Sequence, residues 1–313
     1  MVGRAHHSRG AAWGDGAPAG HGGRVTRTTL LQGVVSAGAL ALSTLAVSES
    51  AGPLRSPAEL ARFDFRAPPA ERWELPSSLR EISGLAVDSA GRVFAHDDER
   101  AIIYQLDPAA RRIVKRFSFG RPAARGDFEA IAVAGEQLIL TTSDGVLYAG
   151  REGEDGAAVP FTVQATGAGR LCEIEGMVYP PGERALLFAC KEPRTRALRG
   201  HFAVLRWSLE RKALDPRPRI FFPLADLTRD LEVSEFHPSE MVRLAGSGRY
   251  LVLASREHAI AEVDEQGKVV AVARLRHRDH PQAEGLAVAK DGSLLVSDEG
   301  GNGRGTVSVY RPR

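Results

Sequence analysis

Glu81-Ile-Ser-Gly-Leu-Ala-Val87 is the stretch on which the reading of the fold turns, because its pattern returns four times. The later copies are Asp127-Phe-Glu-Ala-Ile-Ala-Val133, Cys172-Glu-Ile-Glu-Gly-Met-Val178, His237-Pro-Ser-Glu-Met-Val242 and Gln282-Ala-Glu-Gly-Leu-Ala-Val288. Aligned on the residue before the small, glycine-like position, the anchors are Ser83, Glu129, Glu175, Ser239 and Glu284, spaced 46, 46, 64 and 45 residues apart. The long third interval fits the same unit carrying an insertion of about 18 residues within 192–235. Self-similarity at a period near 45 is the mark of a repeat architecture.

Inside each unit the pattern is that of strands. The first reads Ile82–Val87, a turn at Asp88–Gly91, Val93–Ala95, Ile102–Leu106, a turn at Asp107–Ala110, and Ile113–Phe117. These are four short β-rich runs with Asp, Gly and Pro punctuation. The last unit reads Gly285–Ala289, Leu294–Ser297 and Thr306–Tyr310, and there the chain ends one strand short. Ahead of the first unit, 61–75 offers strand-like residues with no unit of its own. The expectation is an all-β protein, a five-bladed β-propeller of four-stranded blades whose last blade is closed by an N-terminal strand, removing an open edge. A sixth blade, or a β-sandwich with accidental similarity, is the alternative. The division is 1–48 as an N-terminal signal peptide or membrane anchor, 49–80 as linker and closing strand, and 81–313 as the propeller.

The phrases ISGLAVDSAGRVFAHDDERAIIYQLD, DFEAIAV, CEIEGMVYPPGERALLFACKEP, SREHAIAEVDEQGKVV and QAEGLAVAKDGSLLVSDE, in this order, resemble the SdiA-regulated family of YjiK-like β-propeller proteins. The resemblance runs from about Leu75 to Tyr310. It implies an extracytoplasmic five-bladed propeller behind an N-terminal signal or anchor, and it implies no defined biochemical role. Ala130 and Glu240 depart from it, standing where the motif has Gly, and the 192–235 stretch matches poorly.

The 313 residues carry 41 basic and 39 acidic side chains, and the basic excess sits at the N-terminus. Residues 1–48 hold Arg4, Arg9, Arg24 and Arg27 against Asp15 alone, so the other 265 residues carry 37 basic and 38 acidic groups. That balance argues against a nucleic-acid binder, which needs a basic footprint. From Thr28 to Ser48 there is no charge, and Arg24 and Arg27 precede the apolar run, which is the layout of a secretory signal. Its length also suits an uncleaved anchor, and Val25 is an alternative start of translation. The expected location is extracytoplasmic, secreted or periplasmic, or anchored through residues 28–48, the only part expected to meet a membrane. The expected state is a monomer.

In an antiparallel hairpin, the start of the first strand and the end of the second share one end. The five anchors therefore share a face with the clusters His96-Asp97-Asp98-Glu99, Ser143-Asp144, Lys191-Glu192, Arg256-Glu257-His258 and Asp298-Glu299. The candidate ligand-binding face is Ser83, Asp97, Asp98, Glu129, Glu175, Lys191, Glu192, Ser239, Arg256, Glu257, Glu284, Asp298 and Glu299. Converging carboxylates repel unless compensated. Ca2+ or another divalent cation held by Glu129, Glu175 and Glu284 is one compensation. Pairing with Lys191 and Arg256 is a second, and backbone N–H bonds from neighbouring blades are a third. His96, His237, His258 and His280 fall in the loops of the same face and read as loop histidines that need no function, with general bases or ligands as the alternative. No nucleophile elbow, zinc-protease helix, phosphate loop or dinucleotide fingerprint is present. Cys172 and Cys190 flank the Pro180-Pro-Gly-Glu183 turn; a hairpin centred near 181 sets them opposite each other, within reach of a disulfide, with two buried thiols as the alternative. The functional expectation is a module binding a small ligand or a protein at an acidic channel mouth, and the alternative is a metal-dependent hydrolase of the lactonase or esterase kind.

Overall fold

The computed structural model of the protein describes residues 57–313. The expected signal or anchor, and residues 49–56 of the expected linker, lie outside them. Five sheets follow one another along the chain, antiparallel except where Ala158–Val159 adds in parallel to the outer strand Arg112–Phe119 of blade one. Their inner strands are Ile82–Val87, Phe128–Ala134, Cys172–Val178, Glu240–Arg243 and Ala283–Val288, each touching the inner strands of the two neighbouring blades. Among the described residues the ring has five blades. The 192–235 stretch supplies the outer part of blade three, where Ile220–Pro223 pairs with His201–Ser208, followed by a short helix, Ala225–Leu231.

The second strands explain why these sheets read as continuous apolar runs and not as alternation. Val93–Asp97, Tyr250–Ala254 and Leu294–Asp298 are buried at every residue. A blade is covered on both faces by its neighbours, so neither face reaches water. The core is correspondingly divided into five apolar wedges, one per blade interface. Between blades one and two, for instance, Phe94, Ile103 and Phe117 pack with Phe128, Ile131 and Leu140.

The ring is closed as the sequence suggests. Glu71–Glu74 pairs antiparallel with Thr306–Tyr310, Trp73 standing opposite Val307, and becomes the outer strand of blade five. Leu75 N–H extends the ladder to the Gly305 carbonyl at 2.7 Å. Upstream, Leu60, Phe63 and Phe65 fill the wedge between blades four and five. The fully buried Glu262 carboxylate fastens them, accepting from Leu60 N–H at 2.8 Å and from Arg249 Nη1 at 2.8 Å.

Cys172 and Cys190 form a disulfide with Cα atoms 5.6 Å apart. The simple hairpin register is corrected, however. Cys172 stands opposite Pro193 and Cys190 opposite Ile174, because bulges around Ile174 shift the ladder. The bond therefore joins the strands diagonally across a bulge.

Two stability measurements test these features. Trp73→Ala removes the largest side chain of the closing strand and is expected to cost about 3–5 kcal/mol in denaturant unfolding. Replacing both cysteines by serine should cost about 2–4 kcal/mol; a melting temperature indifferent to reductant would contradict that.

Candidate functional site

The anchor end of the channel is acidic. The opposite end opens a cavity of about 590 Å3 walled by Val87, Val133, Tyr179 and Val288, the same repeat position in four blades, with Arg243 at that position in the fourth blade.

At the acidic end the inner strands of blades one, two, three and five carry a bulge, whereas that of blade four pairs in unbroken register from Glu240. The ladders slip between Ile82 and Gly84, Phe128 and Ala130, and Ala283 and Gly285. In each case the anchor residue is the one left out of the ladder, which turns Ser83, Glu129 and Glu284 away from regular pairing. Glu175 is almost wholly buried and binds the Lys191 ammonium. Burial raises Glu175 to about 7, with Lys191 opposing the rise. Glu129 is driven up to about 9 by burial, then by the charges of Glu175 and Asp127. Glu284 is driven to about 8 by burial and by Glu175 and Glu299. Burial would pull Lys191 down, but Glu175, Glu284 and Glu129 outweigh it and hold the ammonium above its usual range. Lys191 is thus the cation around which the three anchor glutamates gather.

A second group lies where blade one meets blade five. Glu81, Asp98 and Glu299 each present a carboxylate oxygen, all within 4.8 Å of one another, and all three residues are half-buried. Burial raises Asp98 to about 6, with Asp97 adding to it, and raises Glu299 to about 7, with Asp98 and Glu81 adding. Asp98 Oδ1 is buried without a hydrogen-bond partner. Arg80 Nε pairs with Glu81 at 2.6 Å, and Gln282 donates its side-chain N–H to Glu299. Beside them opens a polar pocket of about 370 Å3 lined by Ser77, Ser78, Asp97 and Arg100. Glu81 is not among the candidates that the sequence offers, although it begins the first repeat phrase. Its partner Glu299 is 218 residues away, and only ring closure brings them together.

The remaining candidates divide between framework and rim. Ser83 is buried, and Ser239 is buried with its hydroxyl donating to the Ala283 carbonyl at 3.0 Å, which ties blade four to blade five. Asp97 lies inside a strand and accepts from Arg100 N–H at 2.9 Å. Asp298 meets His280 Nδ1 at 2.8 Å, and His280 Nε2 lies 2.7 Å from the Tyr310 hydroxyl, all three buried. Glu192, Arg256 and Glu257 form a separate group with His237 between blades three and four. Arg256 lies 2.8 Å from Glu192, and His237 Nδ1 2.7 Å from Glu257. His96 is no loop residue; it is a fully buried member of its strand.

No family model and no curated protein matches the chain. Among solved structures it is similar to Myxococcus xanthus glutaminyl cyclase, with 14% identity and a TM-score of 0.53 over 78% of this chain and 94% of that one. It is also similar to the PQQ-bound aldose sugar dehydrogenase of Streptomyces coelicolor, with 13% identity and a TM-score of 0.48 over 78% of this chain and all of the other. At 14% identity the likeness to the glutaminyl cyclase is one of fold alone.

The acidic end fixes how stability depends on pH. Asp98, Glu129, Glu175, Glu284 and Glu299 hold their protons more tightly folded than unfolded. Their contribution is fully present below the ordinary carboxyl range and is lost as pH climbs through about 6 to about 9. Asp88 and Glu152 are shifted downward and titrate outside this window. In chelator, the melting temperature is expected to fall steadily from pH 5 to pH 9, by roughly 2–4 °C for each kcal/mol lost. Glu129→Gln should flatten that slope.

Proposed function

We propose that the protein is an extracytoplasmic propeller of the SdiA-regulated type that binds its ligand at the acidic end of the channel through a divalent cation, Ca2+ in the first place. The observation that carries this reading is the approach of Glu81, Asp98 and Glu299 oxygens within 4.8 Å of one another beside a polar pocket. Hard oxygen donors at that spacing suit Ca2+, which accepts six to eight of them with flexible geometry. A cation there also offsets the repulsion that raises Asp98 and Glu299. Glu284 and Glu129, reached through the charge of Glu175, extend the acidic surface across which a ligand would lie. The disulfide supports the location, since such bonds persist in oxidising compartments. The uncharged run 28–48 supports an export signal or anchor. No helix among the described residues is long and apolar enough to cross a membrane.

The function of such a site is binding, of a small molecule or a protein segment carrying oxygen ligands that complete the coordination sphere. Calorimetric titration with Ca2+ tests it. Binding is expected to release protons and to strengthen with pH between about 6 and 8, by up to about tenfold per unit for each proton displaced. Glu299→Gln and Glu81→Gln should each weaken it by about tenfold or more. Absence of Ca2+ binding at pH 8 would remove the basis of the proposal. Metal-dependent turnover of a lactone or aryl ester, lost in Glu299→Gln, would instead assign the same face to a hydrolase.

A further inference from the structure

Below the acidic ring the fourth blade breaks the pattern of small residues at the axis. Where the other inner strands carry Gly84, Ala130, Gly176 and Gly285, the fourth carries Glu240, 1% exposed. Its Oε1 accepts from Met241 N–H at 2.9 Å, and the N–H groups of Met177 and Leu85 also serve the carboxylate, so blades one and three hold a side chain of blade four. The other oxygen, Oε2, has no hydrogen-bond partner.

His96 stands opposite Gly84 in blade one and is fully buried. Its Nδ1 faces the Asp97 carbonyl at 3.2 Å, an acceptor only, which places the ring proton on Nδ1. Nε2 is then a free lone pair, and it too is buried without a partner. The two orphan atoms converge. A Cβ built on Gly84 would lie 2.7 Å from His96 Nε2 and 3.2 Å from Glu240 Oε2. Ser297, placed opposite Gly285 as His96 is opposite Gly84, contributes a third buried and unpartnered atom, Oγ, to the same layer.

Buried polar atoms left unpaired are costly, and two such atoms aimed at one space mark a site that a ligand completes. The donors identify the ligand. A neutral imidazole fixed from behind by a carbonyl, and a carboxylate fixed from behind by backbone N–H groups, have the outer-shell support typical of metal ligands. Imidazole nitrogen beside carboxylate oxygen suits the borderline first-row cations, in contrast to the all-oxygen group at the mouth. We propose that a first-row divalent cation, Zn2+ in the first place, binds on the propeller axis between His96 Nε2 and Glu240 Oε2, where both atoms approach Gly84. Ser297 or water fills its remaining positions. None of these residues belongs to the Glu81, Asp98 and Glu299 group, so the two sites are separable by mutation.

The test is titration of the chelator-stripped full chain with Zn2+, together with the visible spectrum on Co2+ addition. One equivalent of Zn2+ is expected to bind, raising the melting temperature and bleaching a Co2+ band that reports nitrogen coordination. Affinity should be unchanged in Glu299→Gln and reduced at least about tenfold in His96→Gln and in Glu240→Gln. Gly84→Ala keeps both donor residues and sets a methyl group against the imidazole, and it is expected to abolish binding. If a variant does not fold, the wild-type Co2+ band still decides. No Zn2+ uptake and no band in the wild type would overturn the proposal, as would undiminished binding in Gly84→Ala. Loss of Zn2+ in Glu299→Gln would place the metal at the mouth and overturn it equally.

Discussion

Five strands cannot converge on one axis unless something is left out. In this protein it is the side chain. A Cβ on Gly176 would stand 3.0 Å from the Met241 backbone nitrogen, and one on Gly285 would meet the Ser297 hydroxyl at 2.1 Å. The small residue after each anchor is therefore a condition of closure, and with it comes the rest of the repeat. In blades one, two and five the anchor is bulged out of the ladder just before the tight point, and the strand beyond it is apolar because it is covered on both sides. Glu240 is the exception that the other four positions make room for. It is held by N–H groups from three blades, so the one large residue at the axis also links them.

The same geometry explains the electrostatics. Placing an anchor from every blade around a narrow mouth concentrates whatever the anchors carry, and here three of the five are glutamates. Buried together with one lysine, they resist ionisation; the group at the seam of blades one and five does so although Arg80 pairs with Glu81. Stability is given up in exchange for a place where positive charge is welcome. Such arrangements cluster at functional sites.

How much of this could be read from the chain depends on whether a feature belongs to the repeat or to the ring. The five phrases, the inner strands and the closing strand are repeat properties, and they are legible because each copy must solve the same packing problem. The disulfide was legible as a pair, but its register was not, since the bulges around Ile174 break the symmetry of the hairpin. Ring properties left weaker traces. Glu81 joins Asp98 and Glu299 only because the last blade lies against the first. His96 looked like part of a polar loop because Asp97, Asp98 and Glu99 follow it, whereas its strand runs on to Asp97 and buries it. Glu240 did leave a signal, a carboxylate where the pattern has glycine, but its meaning needed the other blades in place.

The strand Glu71–Glu74 finds its partner in Thr306–Tyr310, almost the whole described length away. A chain that emerges N-terminus first, from a ribosome or through a pore, therefore releases its first strand long before the last one exists. Blades one to four can each form as they appear, since their ladders are local, but the circle stays open until the final strand is free. Contacts of such sequence separation form late. Topology thus delays completion of the fold until the last strand is free, so that the protein reaches its final shape only after its whole length has been released.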